Sequence, residues 1–490
     1  MTASQEQELL SSVPTGLFVG GQWRASASGA TFPVHDPATG EVLAHVADAA
    51  PEDGAAALAA AAAAQSAWAS TAPRERGEIL RRAFELVTAR AEDFALLMTL
   101  EMGKPLAESR AEVGYGAEFL RWFSEEAPRI SGRYATAPDG RSRLLVAQRP
   151  VGPSLLITPW NFPLAMATRK VAPALAAGCT SVLKPAALTP LTALLFGEVL
   201  QEAGVPEGVV NIIPTTRAGA VTGPLIKDAR LRKLSFTGST EVGRRLIADA
   251  AEQVLRVSME LGGNAPFLVF EDADLDAAVE GALLAKLRNG GEACVAANRF
   301  LVHESVATEF TERLVERMRG YVSARGTDPA STLGPLVDEP TREKVAELVA
   351  GAVDDGARIA LGGATPTGAG YFYPATVLVD VPHDARILQE EIFGPVAPIT
   401  LFRDEDEAVR LANASEYGLV CFAYTRDLGR ALRLAERLET GMFGLNTGLV
   451  SNPAAPFGGV KQSGLGREGG FEGIDEYLET TYIGISDPFA

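Results

Sequence analysis

The sequence is poor in cysteine, histidine and positive charge, and each shortage narrows what the protein can do. Its three cysteines, Cys179, Cys294 and Cys421, are widely spaced and odd in number. They offer no disulfide framework and no metal-ligand spacing, which fits a reducing, cytoplasmic setting. The four histidines, His35, His45, His303 and His383, fall in no ligand motif, so no metal is expected. Lys and Arg number 44 against 62 Asp and Glu, for a net charge of −18. Such a surface repels nucleic acid and anionic lipid, and neither is expected as a partner. A local pocket can still oppose the global field, so an anionic small substrate stays open.

Long apolar runs are lacking too. Residues 151–168 carry no charge, but Pro153, Pro159 and Pro163 interrupt them, which reads as strand, turn and helix rather than a membrane span. The alanine-rich run 55–64 is too short to cross a bilayer. Glu6 and Glu8 stand where a signal peptide would place basic residues, so none is expected.

What remains is an ordinary globular composition, 47% apolar and 22% charged, over 490 residues, enough for two or three domains. Residues 1–13 are polar and expected to fray. Short strands are expected over 17–46 and helices over 53–69, 74–101 and 106–124. From 151 onward, strand-like runs at 151–158, 180–184, 208–213, 232–236 and 254–260 alternate with helical stretches at 163–177, 189–203, 217–227 and 240–251. Repeated β–α–β units predict a parallel sheet with helices on both faces and ligands at the carboxyl ends of its strands. A second α/β stretch starts at residue 265 and runs to about 445, with a boundary expected at Gly262-Gly263-Asn264.

Several segments could carry chemistry. Cys294 follows the glycine-rich turn Arg288-Asn-Gly-Gly-Glu292, where a thiol is accessible and can act as a nucleophile once it is a thiolate. Cys179 and Cys421 lack such context and read as core residues. Glu260 ends an apolar strand just before two glycines, a placement for a general base or for a solvated strand end. Asn161, boxed in by Pro159 and Pro163, offers a fixed amide N–H for an oxyanion, or merely a turn cap. Phe236-Thr-Gly238-Ser239 opens a helix after a strand, which suits a phosphate. Its Gly-x4-Gly spacing to Gly243 is weak evidence alone, and it is not the G-x-G-x-x-G fingerprint.

Taken in order, TPWNFP, LKPA, FTGSTEVG, MELGGNAP, NGGEAC, EEIFGPV and PFGGVKQSGLGRE resemble the aldehyde dehydrogenase superfamily, over roughly residues 15–485. The resemblance implies Cys294 as nucleophile and thioester carrier. It implies Glu260 as the base that activates water, Asn161 as oxyanion donor beside the Cys294 backbone N–H, and Lys170 as part of a proton relay. It implies contacts to NAD or NADP from Thr158, Pro159, Trp160, Lys184, Ala187, Gly238, Ser239, Gly243, Leu261, Glu391 and Phe393. Phe457 would line the substrate tunnel. The implied fold has a five-stranded Rossmann-type cofactor domain (15–128 and 149–261), an α/β catalytic domain (262–462) and a small β oligomerisation flap (129–148 and 463–490). A homodimer or homotetramer follows from the flap.

Two departures from the family pattern bear on function. Glu292 replaces the usual Gln two residues before the nucleophile, where a carboxylate facing the thiol would disfavour thiolate, so it is expected to point away. Lys184-Pro-Ala-Ala187 lacks the frequent carboxylate at its last position, which removes repulsion toward a 2′-phosphate and leaves Lys184 to pair with it, so NADP is expected to be preferred. Arg169, Arg288 and Ser451 together resemble the residues with which succinate-semialdehyde dehydrogenases hold the distal carboxylate. The plainer alternative is that both arginines make structural ion pairs. Within the class, glutarate-semialdehyde or broad-range oxidation is the competing reading. A cysteine hydrolase lacks a histidine with motif context, and a non-catalytic protein would not need the Cys294–Glu260–Asn161 set.

Overall fold

The computed structural model describes residues 3–487. Five strands form the centre of an eight-stranded sheet, in the spatial order Val210–Ile212, Ser181–Lys184, Ser154–Ile157, Lys233–Thr237 and Arg256–Glu260, all parallel. Every residue of the first four is buried. Strands covered on both faces read as continuous rather than alternating apolar runs, as these do. The order reverses between Ser154–Ile157 and Lys233–Thr237, and a crevice opens at the carboxyl ends flanking such a reversal. Those ends are the turns at Thr158 and Gly238.

The crossover helices start and stop where the residues dictate. Pro163 opens Pro163–Ala177 and Gly178, at φ 93°, closes it in the left-handed region that favours glycine. Ser239 caps Thr240–Ala251 by accepting the Val242 N–H. Two short N-terminal strands, Leu17–Val19 and Gln22–Arg24, extend one edge of the sheet antiparallel, and Gly464–Leu465 pairs with Met259 and Glu260 at the other.

A second sheet has seven strands, with Ala265–Val269, Ala297–His303, Val396–Phe402, Val420–Tyr424, Thr376–Val379 and Met442–Leu445 parallel and Arg358–Leu361 antiparallel at one edge. The expected boundary at 262–264 falls between strands of the two sheets. A third, antiparallel sheet pairs Arg133–Thr136, Ser142–Pro150 and Leu478–Ser486, with Tyr134 and Tyr482 exposed on its outer strands. Residues 463–477, grouped with the flap in the sequence reading, instead run along the cofactor-side sheet and the helix Pro163–Ala177. The last three residues of that expected flap, 488–490, lie outside the described residues.

Three local expectations are corrected. The N-terminal stretch is a helix, Ala3–Ser12, because Leu9 packs into the core and Arg325 bridges Glu6 and Asp36. The expected helix 74–101 is two, Pro73–Ala89 and Ala91–Met102, since Arg90 leaves helical geometry at φ −102° and ψ 25°. The run at 151–158 is a strand only over Ser154–Ile157, because residues 142–150 belong to the separate antiparallel sheet. No helix among the described residues is long and apolar enough to cross a membrane.

Candidate active site

The turn at Thr158–Phe162 divides two cavities. On one side, Pro159, Trp160, Asn161, Gly238, Ser239, Leu261, Cys294, Glu391 and Phe393 line a cleft of about 220 Å³, together with Met166, Thr237, Gly262, Thr341 and Lys344. On the other, Phe162, Tyr115, Arg288, Asn289, Ser451, Leu284, Leu449 and Glu108 line a cavity of about 230 Å³. The first lies at the sheet's topological reversal. The second lies beside the turn that carries Cys294.

Cys294 sits after a tight turn in which Asn289, Gly290 and Gly291 all have positive φ, at 56°, 63° and 78°. The turn is pinned from several directions. Asn289 Nδ2 donates to the carbonyls of Asn161 and Glu292, both at 3.0 Å. Asn161 Nδ2 donates to the Glu292 carbonyl at 3.0 Å, while Asn161 Oδ1 is buried without a hydrogen-bond partner. Asn161 Nδ2 carries two hydrogens and gives one of them to Glu292, so the second is the one an oxyanion would need, while the free Oδ1 is an acceptor. Burial pushes the Cys294 thiol up to about 12, the positive charge of Arg169 opposes this, and Glu391 and Glu260 add to it. Cys179 and Cys421 are wholly buried, in keeping with core roles.

Glu260 ends the strand Arg256–Glu260, buried, with Oε2 unpartnered. Desolvation and then the neighbouring Glu468 raise its pKa well above the carboxylate range, opposed by Arg169, Lys170 and Arg467. Lys170, with no exposure, donates to Glu468 Oε1 at 2.5 Å and to Ser235 Oγ at 2.8 Å. Arg169 pairs with the other oxygen of Glu468 and lies 4.4 Å from the Phe457 ring centre. Its Nη2 remains buried without a partner. Arg169 and Arg288 therefore do not stand as equals. Arg288 lines the cavity with Ser451 and stacks 5.0 Å from Phe162, whereas Arg169 is half committed to Glu468 behind it.

Sequence reasoning missed the groups that hold these residues in place. Lys104 bonds the Asn161 carbonyl at 2.8 Å and pairs with Glu112 at 2.5 Å, both buried. Glu112 in turn accepts the N–H groups of Leu164 and Ala165, capping the helix after Asn161. Glu292 does point away from the thiol, accepting the Val337 N–H at 3.0 Å. Lys286, buried and lowered to about 7 by desolvation, donates to the Gly394 carbonyl and lies near Glu391. No local motif marks any of these, and apart from Glu112, eight residues from Lys104, each partner is far away in the chain.

The cleft fits a dinucleotide on three observations. Ser239 and its helix N-terminus face it, so free N–H groups are available to a phosphate. The Glu391 carboxyl, pushed up to about 7 by burial, is braced by the Gly263 N–H at 3.3 Å. Trp160 and Phe393 meet edge to face at 5.4 Å and line the same cleft as Cys294. Thr158 and Lys184 adjoin it at neighbouring strand ends, the Thr158 N–H bonding the Lys184 carbonyl at 3.2 Å. Burial lowers Lys184 to about 8, and half-buried Ala187 follows three residues on. Gly243 packs against Leu261, which leaves no room for a side chain there.

The chain resembles known proteins along most of its length. It is 66% identical to a succinate-semialdehyde dehydrogenase of Paenarthrobacter nicotinovorans, over 91% of this chain and all of that one. It is 48% identical to a glutarate-semialdehyde dehydrogenase of Pseudomonas aeruginosa, covering 95% and 96% of the two chains. The crystal structure of an NADP-dependent enzyme of Escherichia coli superposes with a TM-score of 0.96 at 47% identity, covering 97% of this chain and 98% of that one. A model of the aldehyde dehydrogenase family matches residues 23–483, and with it the two-cavity site around Cys294 finds its kin: the chain belongs to the aldehyde dehydrogenase family.

Proposed function

We propose that this enzyme oxidises succinate semialdehyde to succinate, using NADP in preference to NAD, through a thioester on Cys294. The observation that carries the reading is the 230 Å³ cavity, in which Arg288 and Ser451 sit beside the turn that presents the nucleophile. The reading requires a carboxylate bound there to leave its aldehyde end at Cys294, which lines the neighbouring cleft. The relative of Paenarthrobacter nicotinovorans supports the substrate, and that of Pseudomonas aeruginosa makes glutarate semialdehyde, one methylene longer, the second reading.

In this scheme Cys294 attacks the aldehyde carbon as the thiolate, the form that the later C–S cleavage regenerates, and the oxyanion takes hydrogen bonds from Asn161 Nδ2 and the Cys294 backbone N–H. A bound nicotinamide dinucleotide supplies hydride acceptance, which oxidises the adduct to a thioester. Glu260 then takes a proton from water, the water oxygen attacks the thioester carbon, the C–S bond breaks and the acid leaves. Lys170 and Glu468 pass that proton onward. Lys184 and Ser239 would hold the cofactor's phosphates, Glu391 would hold its ribose, and Ala187 would leave space for a 2′-phosphate. The segments 15–128 with 149–261, 262–462, and the antiparallel sheet act as cofactor, catalytic and oligomerisation units of a cytoplasmic homodimer or homotetramer.

Absorbance of the reduced cofactor, followed with semialdehydes of increasing length, neutral aldehydes and both cofactors, tests the proposal. Succinate semialdehyde with NADP is expected to give the highest kcat/KM, and Cys294→Ala no turnover. A neutral aldehyde preferred over every semialdehyde would overturn the substrate assignment.

A further inference from the structure

The cavity proposed for an anionic substrate contains an acid. Glu108 lines it together with Arg288 and Ser451, half-buried, and its Oε2 accepts the Asn289 N–H at 2.6 Å. That bond ties Glu108 to the left-handed turn that carries both Arg288 and Cys294. A carboxylate at this place shares one cavity with the substrate's own carboxylate, with Arg288 and with Lys104, the last already paired with Glu112.

We infer that Glu108 is a specificity-determining residue: its charge competes with the distal carboxylate of the substrate for Arg288, so that selectivity for charged over neutral aldehydes depends on whether Glu108 carries a proton. The inference rests on the substrate reading above. The groups facing Glu108 are Lys104 and Glu112 on its own side, Arg288 and Glu292 from the turn, and Tyr321 with Arg317 behind it. Desolvation outweighs the attraction of Lys104 and Arg288, and the carboxyl is pushed up to about 7. Below that pH it is neutral and leaves Arg288 to the substrate. Above it the carboxylate's charge, which Lys104 and then Arg288 attract, weakens the hold of Arg288 on the incoming anion and repels that anion.

The test is the ratio of kcat/KM for succinate semialdehyde to that for butanal, measured from about pH 6 to about pH 9. Titrations of Cys294 and Glu260 act on both substrates and cancel in the ratio. In the wild-type enzyme the ratio should fall about tenfold across this range. In Glu108→Gln, whose amide oxygen can still accept the Asn289 N–H, it should stay flat at the low-pH value. A flat wild-type ratio overturns the inference whatever the variant does, and so does an unchanged slope in Glu108→Gln. A ratio near one at every pH would instead remove the substrate reading itself, and the inference with it.

Discussion

Replacing each arginine by alanine separates binding from scaffolding, because the structure gives the two different partners. Two unit charges about 4 Å apart interact by about 4 kcal/mol at an effective dielectric near 20. Arg288 is half-buried and already attracts Glu108, so roughly half of that survives as net substrate binding. At about 1.4 kcal/mol per decade, Arg288→Ala should cost about thirtyfold in kcat/KM for succinate semialdehyde and less than about threefold for butanal. Arg169 is different. Its removal leaves Glu468, a buried carboxylate, with Lys170 as its ion-pair partner and Lys233 farther off. Breaking a buried pair costs about 3–5 kcal/mol, and the surviving lysine places this case near the low end. The raised negative charge beside Glu260 should then slow both aldehydes alike and lower the Tm. Steady-state kinetics on the two substrates, with a thermal melt of each variant, reads out every term. Equal charge selectivity lost in both variants, with no drop in Tm for Arg169→Ala, would refute the distinction.

Three further outcomes follow from the site. Glu260→Gln should keep a rapid burst of reduced cofactor and lose most steady-state turnover, and in the wild type the step after the burst should quicken as pH rises through the elevated Glu260 pKa, because only the anion accepts a proton from water; a vanished burst would place Glu260 in the first step. Ala187→Glu should turn cofactor preference toward NAD, since a carboxylate there repels a 2′-phosphate, as read from kcat/KM with each cofactor. Glu292→Gln should raise the Tm, and by more at about pH 8 than at about pH 5: burial raises the folded-state pKa of Glu292, so its cost to stability is absent below the ordinary carboxylate range and grows as pH rises above it.

What could be read in the sequence was whatever the chemistry confines to one short segment. Cys294, Asn161 and Ser239 each sit on a turn whose glycines or prolines announce it, and Glu260 closes a strand visible as an apolar run. The five parallel strands were legible for the same reason, since strands covered on both faces are written in apolar residues. Charge compensation is not local, and it escaped. Glu468 reaches Lys170 across 298 positions, and Lys104 reaches Asn161 across 57. Neither acid nor base carries a pattern that names its partner, so Arg169 looked like a free ligand for a substrate carboxylate when one side of it already serves Glu468. The N-terminal helix escaped similarly, because its stability comes from Leu9 in the core and from Arg325, 319 residues away from Glu6. Glu292 shows the reverse. Next to a nucleophile, a carboxylate looks damaging, yet the turn that exposes the thiol also rotates this side chain out to the Val337 N–H. The same turn that presents Cys294 to the cleft thus turns Glu292 away from it, and the Glu292→Gln substitution is expected to act on stability and its pH dependence rather than on the thiol.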